Sequence, residues 1–355
     1  MLPFRPFQKA FAIDISDARL RVLQIEGKKG GLHVRCFNEC GVPEGYIVNG
    51  EIVHHDKVVP LIRSLVSTVH GRHVSSHFVV ASLPERKTFF KVFDIPLLPD
   101  AELPGAVQWG IEQNIPISFD AVTYDWQIVS KDEASQKVTV AVAVIPKEIA
   151  ESYTALLIDA RLQPIALETE SNAIGRALLK PDDTQTAKII VDLGASRTSV
   201  ILIDDGAVYY SSTLDISGQE MTKLISQKIS LTVEQAEKAK IMCGLDEKKG
   251  KGIIRRTLLP IFQPLEQKIN EVSLFYTRSL QRVKPLGITF CGGASQMTGL
   301  TEYFSTQLKL PIAQADLFSR MPSLSDSHLP HTKILSFTTA IGLAMRPFYH
   351  HESFI

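Results

Sequence analysis

A chain of 355 residues with 45% hydrophobic content is long enough for at least two cores, since single cores stop growing at roughly 250 to 300 residues. Lys plus Arg equal Asp plus Glu at 38 each, so no global field draws the chain to nucleic acid or to an anionic membrane surface. The longest smooth apolar run, VTVAVAVIP from Val138, is far short of the roughly 20 residues that span a bilayer, and MLPFRPFQKAFAID lacks a signal-peptide core; a soluble, cytoplasmic chain is expected.

In chain order, AIDISDARLRVLQIEG (12–27) reads as strand, Asp-bearing turn and strand, and LHVRCF follows as a third extended segment. Cys36 and Cys40 form a lone C-x-x-x-C; with Cys243 and Cys291 far away, neither a disulfide framework nor a zinc site is expected. Residues 56–69 have helical spacing, with Pro60 in the first turn. His70, His73 and His77 in HGRHVSSH sit in a Gly- and Ser-bearing loop and read as solvated. FVVAS is a strand, and from residue 84 the order becomes strand, helix, strand, strand, ending in a helix near Pro146 to Arg161. That unit reads as an inserted module. PIALETESNAIGRALL is then a strand leading into a helix.

VDLGASRTSVILIDDG (191–206) repeats the first stretch at a constant offset of 178 residues (192 − 14). Asp14 falls on Asp192, Ser16 on Gly194 and Arg19 on Arg197, and AVYYSSTLDI supplies the third extended segment. Self-similarity at so long a period means two related halves rather than a solenoid, and facing halves make a cleft. A buried strand ending in Asp, Gly, Ser and Thr offers backbone N–H groups and hydroxyls to an anion and a carboxylate to a cation, although a turn is polar in any ordinary hairpin. Gly218 to Met242 reads as two helices, the second capped by Thr232 with Gln235 three residues on. Leu265, Ile269, Val272, Tyr276 and Leu280 form one face of a long helix that Pro285 closes. Ile288 to Cys291 is a strand running into Gly292 and Gly293, where a ligand could approach the backbone or the chain could simply turn tightly. ILSFTTAIGLAM is a small-residue helix whose Gly342 costs about 1 kcal/mol unless close helix packing requires it.

Two Asp-bearing turns from related halves, a late glycine pair and two small-residue connecting helices resemble the actin, Hsp70 and sugar-kinase superfamily. More narrowly, AIDISDARLRVLQIEG, PEGYIVNGEIV, GIEQNIPISFDAVTYDWQIV, LETESNAIGRALL, VDLGASRTSVILIDDG, SGQEMTKLISQKISLTVEQAEKAK, CGGASQMTGL, KLPIAQADLF and TAIGLAMR resemble, in order, the PilM family of type IV pilus assembly. The resemblance implies an α/β, actin-like ATPase fold with two β-meander and helix halves around a nucleotide cleft. Its first half would be 1–83 with 163–185 and 336–355, its inserted subdomain 84–162 and its second half 186–335. It implies ATP or ADP with magnesium as cofactors. Asp14 and Ser16 would form the first phosphate loop and Asp192, Gly194, Ser196 and Thr198 the second, with Mg²⁺ on Asp14 and Asp192 directly or through water. Asp14, Glu170 and Asp192 would do whatever catalysis occurs, Glu170 orienting water or metal. Gly218, Glu237 and Lys240 would line the ribose and adenine side, and Gly292, Gly293 and Ser295 the adenosine motif.

The chain departs from the family at Asp17 and Ala18, where a second carboxylate near a polyphosphate would cost roughly 1 to 4 kcal/mol. Ser217 also replaces a glycine ahead of the helix at Gln219. These changes imply weakened nucleotide binding and slow hydrolysis at most. The inserted unit is similar to the subdomain that PilM shares with FtsA. It implies a groove for the cytoplasmic N-terminal segment of a PilN-like inner-membrane protein, alongside other pilus assembly proteins, with membrane contact only through the partner. Alternatives on the same fold are an FtsA-like division protein, which would carry an amphipathic C-terminal helix unlike RPFYHHESFI, and a small-molecule kinase with its own substrate base.

Overall fold

The computed structural model describes residues 9–28, 31–179, 187–279, 285, 287–325 and 327–348. The N-terminal residues 1–8, Leu280 and the tail 349–355, on which parts of the sequence reading rest, lie outside them. Among the described residues no helix is long and apolar enough to cross a membrane.

The repeat is a repeat of backbone register. In the first hairpin Asp14 lies opposite Arg21 and Ile15 opposite Leu20; in the second Asp192 lies opposite Ser199 and Leu193 opposite Thr198. The strand Phe11–Ile15 has Phe78–Leu83 as its parallel neighbour, and Lys188–Leu193 has Ile288–Cys291 in the same place. Each sheet ends on that side in a further parallel strand, Gln163–Thr169 and Ile312–Gln314. Each first strand is buried on both sides, as a central strand must be when helices cover both faces.

Alternation along Phe11–Ile15 assigns the faces. Phe11, Ile13 and Ile15 pack with Val58, Ile62 and Leu65 of the helix His55–Ser67. Ala12, small, faces the other way onto the helix Thr338–Met345 and onto Ala173 and Ala177 of the helix Glu170–Leu178. In the second sheet Ile189, Val191 and Leu193 pack on the helices Gly218–Ile229, Ile253–Leu274 and Leu300–Leu308. Ile190, Ile201 and Ile203 face Ile174 on the helix Glu170–Leu178. That helix is therefore shared by both halves.

The inserted unit is an antiparallel sheet of Phe89–Pro96, Lys137–Pro146 and Val122–Asp132, with Lys137–Pro146 central. Val138, Val140, Val142 and Val144 bury one face under Val107 and Ile111 of the helix Leu103–Asn114. From the opposite face Ala141, Val92 and Val129 join the core of the second half. The following helix, Lys147–Asp159, was expected to close the insert but packs elsewhere. Its Ile149, Tyr153, Leu156 and Leu157 recur at helical spacing and are buried with Phe11 and Ile13, and Tyr153 donates to the Gly50 carbonyl at 3.0 Å. By its packing this helix belongs with the first sheet.

Gly342 has the packing reason its position required. A Cβ there would lie 1.8 Å from the Ala173 carbonyl oxygen. Beside this contact Arg176, 1% exposed, donates to Glu168 Oε2 at 2.8 Å and to the Gly342 carbonyl at 3.0 Å, and Arg346 reaches Glu168 at 3.2 Å. We predict that Gly342→Leu lowers the unfolding free energy by at least about 1–3 kcal/mol through overpacking. Gly105→Ala, in a helix where a Cβ meets nothing within 4 Å, should be neutral or stabilising by up to about 1 kcal/mol. Urea denaturation of both decides, and an unchanged midpoint in Gly342→Leu would refute the tight crossing.

Candidate functional site

Asp14 and Asp192 stand one residue before the ends of their strands and line one cavity of about 450 Å³. The turns that follow are built differently. Ser16 closes the first: its N–H donates to the Arg19 carbonyl at 3.0 Å, while its hydroxyl donates to that carbonyl and accepts from the Arg19 N–H. In the second, Gly194 N–H donates to the Arg197 carbonyl at 2.9 Å, and a Cβ on Gly194 would lie 2.8 Å from that oxygen. Gly194 and Ala195 accept through their carbonyls from the N–H groups of Gly218 and Gln219, which fastens the second turn to the start of the helix Gly218–Ile229. The positive end of that helix dipole faces the cavity.

Glu170, Ser196 and Gly218 also line the cavity, as do Glu237, Lys240, Gly292 and Gly293. Gly292, with φ +82°, lets the chain pass Asp192, because a Cβ there would sit 2.3 Å from Asp192 Oδ1. Lys240 is largely spoken for: buried, it donates to the Gly218 carbonyl, Thr222 Oγ1 and Glu237 Oε2 at 2.7 to 2.9 Å, tying the helix Val233–Cys243 to the previous one. Burial lowers its pKa, with Glu237 opposing.

Two expected site residues do not line the cavity. Thr198 is fully buried and donates to the Ile216 carbonyl at 2.7 Å, and Ser295 donates to the Gly292 carbonyl at 2.7 Å. Both hydroxyls close turns around the site. The two departures also have structural explanations. Asp17 turns away: its carboxylate accepts from the N–H groups of Asn49 and Gly50 at 3.0 Å each and is absent from the lining, so the expected repulsion does not arise there. Ser217 has extended backbone that needs no glycine, and its hydroxyl caps the helix by accepting from Glu220 N–H at 3.0 Å.

The sequence reading missed the arginines. Arg197 is 8% exposed and ion-paired with Glu170, while its Nη1 makes no hydrogen bond and lies 3.9 Å from Asp17. Arg21 reaches Asp14 Oδ2 at 3.2 Å and Glu39 at 3.6 Å. The only signal for Arg197 was its alignment with Arg19. Glu85, also missed, accepts from Ser171 N–H at 3.1 Å at the start of the helix Glu170–Leu178.

Burial pushes the Asp192 carboxyl up to about 6, with Asp14 adding and Arg197 and Arg21 opposing. Burial likewise raises Glu170, against the pull of Arg197. Arg197 stays charged: burial works against it, but Glu170 and its other acidic neighbours outweigh that, and a guanidinium does not deprotonate in proteins.

The donor set suits an anion better than the cation expected on Asp14 and Asp192. Among the described residues no three His, Cys, Asp or Glu side chains group as a metal site. Both oxygens of Asp14 are engaged, by Ser82 at 3.3 Å and by Arg21. Magnesium wants near-octahedral oxygens, and here the Arg21 guanidinium already occupies one oxygen of Asp14. The glycine turns and the helix N-terminus in the lining favour a polyanion.

Two register-matched halves, joined through a shared helix and facing across a cleft with paired aspartates, define an actin-like protein. Solved structures bear this out. A PilM-PilN type IV pilus biogenesis complex matches with TM-score 0.77 and 19% identity over 97% of this chain and 100% of the other. MreB 5 of Spiroplasma citri bound to AMPPNP matches with TM-score 0.54 and 13% identity over 94% and 93%. The family model for type IV pilus assembly protein PilM matches residues 12–348, and the chain belongs to that family. It is also 25% identical over 202 residues to the cell division protein FtsA of Neisseria meningitidis serogroup B, covering 51% of this chain and 46% of that one. The chain spans about half the length of the curated relatives it matches.

The raised Asp192 carboxyl makes a pH prediction. The folded state holds this proton more tightly than the unfolded state, so its stabilising effect is full below about pH 4 and is lost as pH rises to about 6. Asp192→Asn should therefore raise the stability of the ligand-free protein at pH 8 by on the order of 1–3 kcal/mol and change it little at pH 4. Denaturation at the two pH values checks this; equal effects at both would show that Asp192 carries no buried charge.

Proposed function

We propose that this PilM-family protein is a cytoplasmic adaptor of type IV pilus assembly. It holds an adenine nucleotide between its halves and docks an extended segment of a PilN-like inner-membrane protein beside the inserted sheet. The observation that carries the nucleotide reading is the convergence of two register-equivalent aspartates, two turns and a helix N-terminus on one 450 Å³ cavity. The 194–196 turn and the start of the helix at Gly218 would take the phosphates, and Arg197 would pair with them. Gly292, Gly293, Glu237 and Lys240 would border the nucleoside. Glu170 would orient water if hydrolysis occurs. The capture of AMPPNP by MreB 5, which shares the fold, supports this assignment.

The docking reading is supported by a second, more apolar groove of about 240 Å³. It runs between Thr123–Asp125 and Ala143–Ile145 of the insert and Leu83, Leu167, Thr169 and Arg346 of the first half. Val122–Asp132 is an edge strand of its sheet, so an extended peptide can add backbone bonds along it while side chains enter the groove. The PilM-PilN complex among the solved relatives supports PilN as the occupant.

Calorimetric titration with ATP and with the N-terminal cytoplasmic peptide of the neighbouring PilN-like protein tests both. We expect each to bind, and Thr123→Arg, an exposed groove position, to weaken the peptide by about tenfold or more and leave ATP unchanged. A peptide that binds the variant as well as the parent would remove the groove assignment; absence of ATP binding would remove the nucleotide.

A further inference from the structure

We propose that Arg197 is a built-in cation standing where magnesium is expected, so that the cleft accepts the metal-free nucleotide about as well as its magnesium complex. This rests on the nucleotide reading above. Five carboxyl groups line the cavity, and so do five cationic side chains. Four of the five carboxyls are already salt-bridged to those cations, and among the described residues Asp192 is the fifth. A cavity so balanced supplies its own countercharge and leaves little surplus of carboxylate for a protein-held divalent ion.

Arg197 is placed to do this. Its carbonyl closes the 194–197 turn, so its backbone is held by the feature that would hold the phosphates. Arg197 lines the cavity, one arm of its guanidinium is on Glu170, and Nη1 is buried without a hydrogen bond, 3.9 Å from Asp17. A rotation of the guanidinium toward the cavity would let Nη1 donate to a phosphate oxygen while Nη2 keeps Glu170, which suits a planar fork with several donors. A divalent ion between Asp14 and Asp192 would instead meet the Arg21 guanidinium, which is already on Asp14, and be repelled by it.

The test is calorimetric titration of the full chain with ATP in EDTA, with ATP in excess Mg²⁺, and with Mg²⁺ alone. We expect the two ATP dissociation constants to agree within about threefold and Mg²⁺ alone to give no heat of binding. Arg197→Gln should weaken ATP in EDTA by about tenfold or more and make Mg²⁺ restore part of the loss, while Arg197→Lys, which keeps the charge but not the fork, should lose less than Arg197→Gln. If Arg197→Gln loses its cooperative melting transition, the parent and Arg197→Lys titrations decide by themselves. ATP binding that weakens about tenfold or more in EDTA would overturn the role of Arg197 and leave the nucleotide reading standing; no ATP binding in either buffer would overturn both.

Discussion

The structure turns on the crossing of two short helices, Glu170–Leu178 and Thr338–Met345. Their backbones approach until no side chain fits between Gly342 and the Ala173 carbonyl. Contact at that distance depends on small residues, and both helices supply them: Ala173 and Ala177 on one, Ala340, Gly342 and Ala344 on the other. The buried Arg176 fixes the register by bridging Glu168 to the Gly342 carbonyl, an arrangement that costs desolvation but tolerates only one alignment. From that crossing the first helix extends one face into each half, so the separation of the two aspartate-bearing strands is set there.

With the frame fixed, the cleft is a problem in charge. Strand ends from two halves bring buried carboxyls close together, which burial alone would keep protonated. The protein answers with arginines rather than with dispersal. Arg21 reaches across its own hairpin to Asp14, and Arg197 crosses from the second half to Glu170 at the start of the shared helix. The same guanidinium that relieves the acids holds the halves together electrostatically.

Much of the fold was legible because its repeat is local. Pairing register is copied along a hairpin, so the 178-residue offset between Asp14 and Asp192 carried the first two strands of each sheet with it. The Gly342 contact was legible for a similar reason, since an otherwise costly residue in a helix needs a neighbour. What escaped was non-local. Asp17 was read beside Asp14 in sequence, whereas its carboxylate belongs to the 49–50 turn. The helix Lys147–Asp159 follows the insert in the chain but buries its apolar stripe in the first half. Thr198 and Ser295 have the residue types of ligand donors, yet both hydroxyls are spent on nearby carbonyls. Beyond its alignment with Arg19, Arg197 gave no sign of its ion pair with Glu170, because the acids an arginine meets are set by the fold.

The inserted sheet rests on both halves at once. Ile145 is buried with the core of the first half, while Phe90, Val92, Val129 and Ala141 lie against the second half. Such a bridge is a clasp across the mouth of a hinge. Swinging the halves apart about the helix crossing would expose one of these two sets, at about 1.5–3 kcal/mol for each large side chain fully exposed. Opening the cleft therefore has an apolar cost at the insert, far from the charged groups that line it.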